Sequence, residues 1–215
     1  LLNLVINNAA GVSITTAFAI QTGLTLTSGA LTSSVLTIGV PATTVTTTRT
    51  AGSLTNVPTW GYTTGAYNII YNGAAAINTG NELPSSATPT NGTLTVSTGG
   101  TNVTLMADAN IGTLTTSVAT TTTFNLNGFT LGLSLATPVS NTGVITANAA
   151  TSTIKFNGTV AQTFTLGGTY TGSLISNMVV DNSFSTSGLT VSTTNINVGS
   201  LTINASRFMT LNGVN

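Results

Sequence analysis

The chain has 215 residues, of which three are Lys or Arg, three are Asp or Glu, and none is His or Cys. Only 3% of it is charged and its net charge is zero, whereas ordinary globular proteins are about 25% charged. Composition therefore speaks against nucleic acid and anionic membrane surfaces as partners, since both need clustered cations; it also excludes a histidine-based triad and any disulfide or thiolate metal site.

The chain can still bury a core. It is 40% hydrophobic with a mean hydropathy of +0.41, which is the reverse of the composition of disordered chains. Taken in order, period-two alternation predicts short strands at Leu4-Val5-Ile6, Leu24-Thr25-Leu26, Leu94-Thr95-Val96, Phe124-Asn125-Leu126, Phe129 to Leu133, Phe164-Thr165-Leu166, Leu189-Thr190-Val191 and Leu201-Thr202-Ile203. Successive strand side chains point to opposite faces, so the aliphatic and Phe residues face a core while Thr, Asn and Ser face outward. Threonine is β-branched and suits a pleated surface. Asn-Gly pairs at Asn72, Asn91, Asn127, Asn157 and Asn212 mark corners, because both residues tolerate the left-handed backbone that tight corners need. No helix is predicted, and no apolar run approaches the roughly 18 residues of a spanning helix.

Repeats decide the architecture. Val35-Leu36-Thr37-Ile38-Gly39 returns as Phe124-Asn125-Leu126-Asn127-Gly128 and as Met209-Thr210-Leu211-Asn212-Gly213. Ile69-Ile70-Tyr71-Asn72-Gly73 returns as Ile154-Lys155-Phe156-Asn157-Gly158. Leu4-Val5-Ile6-Asn7-Asn8 is matched by Met178-Val179-Val180-Asp181-Asn182 and more loosely by Leu94 to Thr98. These offsets read as one continuous array over 1–215, with approximate units 1–90, 91–176 and a shortened 177–215. Ending in mid-unit, the chain reads as a piece of a longer array. Within a unit, Ile6, Ile14, Ile20 and Leu26 are spaced like the sides of a three-sided coil. The fold class expected is all-β, a parallel β-solenoid (β-helix) built from short strands; tandem immunoglobulin-like β-sandwich repeats are the alternative.

Leu4-Val5-Ile6-Asn7-Asn8-Ala9-Ala10-Gly11-Val12 followed by Gly23 to Gly29, Thr79-Gly80-Asn81-Glu82-Leu83-Pro84 and Lys155-Phe156-Asn157-Gly158-Thr159-Val160-Ala161-Gln162-Thr163 together resemble the Thr/Asn-rich β-helical repeat regions of large secreted Bacteroidota cell-surface proteins, adhesin-like chains exported by the type IX pathway. The resemblance covers most of the chain and is weakest from Pro41 to Ala66. It implies an extracellular structural or adhesive role and carries over no catalytic residue.

The candidate site is the aromatic group Trp60, Tyr62, Tyr67 and Tyr71. It reads either as a platform that stacks on sugar rings or as rings packed against a solenoid edge or a neighbouring subunit. Glu82, Asp108 and Asp181 read as solvated loop or turn residues, too few and too scattered for the paired carboxylates of glycoside hydrolysis; a cation site of backbone carbonyls and Asn side chains near Asp108 or Asp181 is the other reading. Lys155 alternates outward, where a Lys–Asn crosslink beside an acid is conceivable. The runs Thr43-Thr44, Thr46 to Thr48 and Thr120 to Thr123 raise ice binding but do not recur evenly. Asn-X-Ser/Thr sequons at Asn91, Asn102, Asn157 and Asn204 arise by chance in such a composition. The expectation is a non-catalytic structural segment of a fibre, sheath or stalk with no cofactor, whose partner is itself. The alternative is an adhesin for glycan or for a host or abiotic surface.

Overall fold

The structure, a computed structural model, describes residues 1–85, 91–97, 101–117, 121–165, 169–192 and 196–212. Thr98, Thr120, Leu166 and Gly213, named above, lie outside them. Among the described residues there is no helix, and the chain coils as a parallel β-solenoid of about eight turns.

One side of the coil is a seven-stranded parallel sheet. Its strands are Asn3–Asn7, Gly23–Ser28, Val45–Arg49, Tyr67–Tyr71, Thr93–Val96, Thr113–Thr116 and Val139–Asn141, each paired with the next. Leu4, Leu24, Thr47, Ile69, Leu94, Leu114 and Val139 stand in one inward column. A coil therefore takes 20 to 25 residues. Ile6 pairs with Leu26, so the spacing of Ile6, Ile14, Ile20 and Leu26 traces one complete turn.

The other two sides start as three-stranded ladders. One holds Val12–Ser13, Ala30–Thr32 and Ser53–Leu54; the other holds Phe18–Ile20, Leu36–Ile38 and Thr59–Trp60. Both stop at the third coil. They resume as two arms of a larger sheet. One arm is Ala76–Asn78, Asn102–Thr104, Thr123–Asn125 and Val144–Ala147; the other is Ala109–Ile111, Thr130–Leu133 and Thr153–Phe156. The arms merge in Thr169–Val180, a strand of 12 residues that pairs with Val144 at its start and with Thr153 at Asn177. Asn197–Ile203 adds to this strand, while Gln162–Phe164, Leu189–Val191 and Met209–Leu211 form a last short ladder.

Alternation accounts for the packing. Thr93–Val96, Thr113–Thr116 and Thr153–Phe156 all alternate outward and buried positions. Their inward Leu94, Leu114, Ile154 and Phe156 are at most 1% exposed, and each such burial is worth roughly 1.5–3 kcal/mol. The strand-plus-Gly signature does not keep to one side. Leu36–Ile38, Thr123–Asn125 and Met209–Leu211 belong to three different sheets. What the ladders repeat is the coil, and the strand-plus-Gly signature marks any strand that runs into a corner. At two of these corners the backbone is left-handed, with φ of +88° at Gly39 and +87° at Gly128, which is why glycine serves there.

Candidate functional site

The interruption between the third and fifth coils is where polar chemistry collects. In Val45–Arg49 the pattern turns Val45, Thr47 and Arg49 inward. Arg49 stands in the column of Ile6, Leu26, Tyr71 and Val96, and its side chain is 12% exposed. A cation placed inside a solenoid needs an anion and acceptors, because burying an uncompensated charge is costly.

Glu82 supplies the anion. It was expected to be a solvated turn residue; it is instead fully buried, because the fourth coil folds inward toward Arg49. Its Oε1 accepts from Arg49 Nη1, from Tyr71 OH at 3.1 Å and from the Gly80 N–H at 2.9 Å. Arg49 also donates to the carbonyls of Gly52 and Asn78, at 2.6 and 2.8 Å. Tyr67 OH donates to the Glu82 carbonyl at 2.7 Å. Asn81 completes the closure. Its side-chain amide donates to the carbonyls of Leu54 and Thr55, at the end of the side that stops with Ser53–Leu54.

The four aromatic residues are brought together, but they play different parts. Tyr67 and Tyr71 are inward core residues, 1% and 0% exposed. Burial, the largest cause, pushes both hydroxyls well above the usual tyrosine range, and the nearby Glu82 charge pushes the same way. Tyr62 stacks on Tyr67 at 5.6 Å, and Trp60 meets Tyr67 edge to face at 5.0 Å. Trp60 pairs with Ile38 and is the last ring of its ladder. Beyond it lies a cleft of about 360 Å³, lined by Trp60, Val57, Asn81, Leu83, Met106 and Asp108 among others. Val57 and Met106 are 68% and 45% exposed and stand at its rim.

The remaining charges lie elsewhere. Asp181 was also expected to be solvated, yet its side chain is 25% exposed and bridges Lys155 at 2.8 Å and Arg207 at 3.5 Å. The hydrogen bond from Lys155, then that from Asn204, holds its carboxyl below the usual carboxylate range. A Lys155 crosslink would need that acid protonated, and this environment favours the ionised form. Asp108 is exposed and accepts the Thr130 N–H at 2.8 Å through Oδ1. Among the described residues, no group of three or more His, Cys, Asp or Glu is placed to hold a metal ion.

The Thr runs are split by alternation: Thr46 and Thr48 face outward and Thr47 is buried. Isolated threonines line up instead. Val5, Thr25, Thr48, Ile70, Thr95, Thr115 and Ser140 form one outward column, with apolar residues at two of its positions.

Sequence reasoning missed Arg49, Glu82, Asn81 and Asp108 as members of one locality. The available signal was an Arg at an inward position, which requires a buried acid somewhere. Compared with known proteins, the chain matches no family model, no curated protein and no solved structure.

Proposed function

We propose that this chain is a non-catalytic, extracellular structural segment, a rod-like stretch of a surface fibre, sheath or stalk that associates with copies of itself. The observation that supports this reading most is how the charge is used. Five of the six charged side chains are engaged with one another, as Arg49–Glu82 and Lys155–Asp181–Arg207. The outward positions of the ladders hold mainly Thr, Asn and Ser, so the sides of the rod carry almost nothing that repels a second rod. Solenoids and sheets normally use charged residues to block such pairing.

No helix among the described residues is long and apolar enough to cross a membrane. Negative-stain electron microscopy tests the reading. Filaments or laterally packed rods are expected; discrete single rods at every concentration would overturn it.

A further inference from the structure

We infer that the cleft at the interrupted side of the solenoid is a binding site for a neutral carbohydrate, one or two sugar rings in size. The inference does not rest on self-association, since the cleft is formed within a single chain.

Four observations carry it. The cleft lies where, among the described residues, the ladder ending at Thr59–Trp60 is followed in the fourth coil by the isolated bridge Ser85–Ala109 and by no further strand of that ladder. Its volume of about 360 Å³ falls within the roughly 300–1,000 Å³ of small-molecule sites. Its ring, Trp60, is held by the edge-to-face contact with Tyr67 and a tilted contact with Tyr62 at 5.8 Å. It is therefore positioned in advance, and an aromatic ring fixed before binding spends little entropy on the ligand.

The polar groups define the class of ligand. Among the described residues, Asp108 is the only charged one of the lining. One of its oxygens accepts from Thr130, which leaves the other for a hydroxyl donor, and such charge-assisted bonds are the stronger kind. Among the described residues no Lys or Arg lines the cleft, so no cation there compensates a phosphate, sulfate or carboxylate. Trp60, Leu83, Met106 and Val57 give the apolar contact that the carbon face of a sugar ring needs. A ligand with one apolar face, several hydroxyls and no negative charge meets these conditions. The aromatic platform suggested by sequence thus reduces to its outermost member, with Asp108 in the part of the polar partner and Tyr62 and Tyr67 behind Trp60.

The chain contains a single Trp and four Tyr, so emission excited selectively at the indole reports on Trp60 and hence on this cleft. The experiment titrates the 215-residue chain with glucose, galactose, mannose, N-acetylglucosamine and their β-linked disaccharides, with glycerol as a polyol lacking a ring. The expected result is a saturable change in Trp60 emission with at least one sugar and none with glycerol. Asp108→Asn keeps an acceptor for Thr130 and the fluorophore, and should weaken binding about tenfold or more by removing the charge-assisted bond. Absence of a saturable change with every sugar, an equal response to glycerol, or unaltered affinity in Asp108→Asn would each overturn the assignment.

Discussion

The seven-stranded side and the two sides beside it solve the same problem differently. The first pairs without a gap from Asn3 to Asn141, and most of its inward positions are aliphatic. The others stop at Ser53–Leu54 and at Thr59–Trp60 and resume later. At that gap an ion pair, two tyrosine hydroxyls and an Asn amide do what backbone ladders do elsewhere. The comparison teaches that one uninterrupted side is enough to carry register through a coil whose other sides are irregular. The irregularity then becomes the place where buried charge and a cleft can exist.

The largest effect is expected at the gap. Glu82→Gln leaves Arg49 inside the solenoid without its anion, and breaking a buried pair in this way costs about 3–5 kcal/mol. The loss should appear as a fall in the urea midpoint. The double change Arg49→Met, Glu82→Leu should recover most of it, because an apolar replacement of both partners is often close to neutral. If Glu82→Gln unfolds at the native midpoint, the ion pair does not hold the gap closed.

On the uninterrupted side, Leu94→Ala removes a side chain that is 0% exposed and should cost roughly 2–5 kcal/mol, as large-to-small core changes do. Its effect should be additive with that of a substitution in the distant last ladder, such as Leu189→Ala, if the solenoid transmits stability only between neighbouring coils. Gly92→Ala should cost about 1–3 kcal/mol from overpacking, because a Cβ there would collide with the Tyr67 carbonyl oxygen. Thermal unfolding of these variants measures both.

Tyr67 and Tyr71, set on the uninterrupted side with their hydroxyls reaching Glu82, give the gap a pH dependence. Their hydroxyls ionise at higher pH folded than unfolded, so the stabilisation they give is complete below the ordinary tyrosine value of about 10 and is lost as pH rises beyond it. Alkaline unfolding should therefore begin near that value and be delayed in Tyr71→Phe.

The smallest effect belongs to Asp181. Its carboxyl is held low, so its contribution is present above the unfolded value of about 3.9 and fades as pH falls through the lower folded one. Part-exposed pairs of this kind contribute about 0.2–1 kcal/mol, and Asp181→Asn should lower the unfolding free energy measured in urea by no more than that at neutral pH.

Much of the regular part was legible in the sequence. Ile6, Ile14, Ile20 and Leu26 gave the three sides and the length of a coil, and Leu-Thr-Leu or Leu-Thr-Val triplets gave the inward and outward positions. The gap was not. Val45-Thr46-Thr47-Thr48-Arg49 contains no aliphatic alternation after Val45, so nothing local reveals that Thr47 and Arg49 point inward. That orientation is imposed by pairing with Gly23–Ser28 and Tyr67–Tyr71. Glu82 looked like a turn residue for the same reason: its burial depends on Arg49, 33 residues away. Of the aromatic group, proximity was legible, but which ring is outermost depends on where the ladder stops.

Sedimentation velocity of the 215-residue chain over a range of concentrations, at low and at high salt, tests the central claim most directly. A neutral rod in which five of six charges are paired with one another should associate as concentration rises, and association should persist or strengthen at high salt, since screening has little to act on. A single monomeric species throughout, or association that salt abolishes, would contradict it.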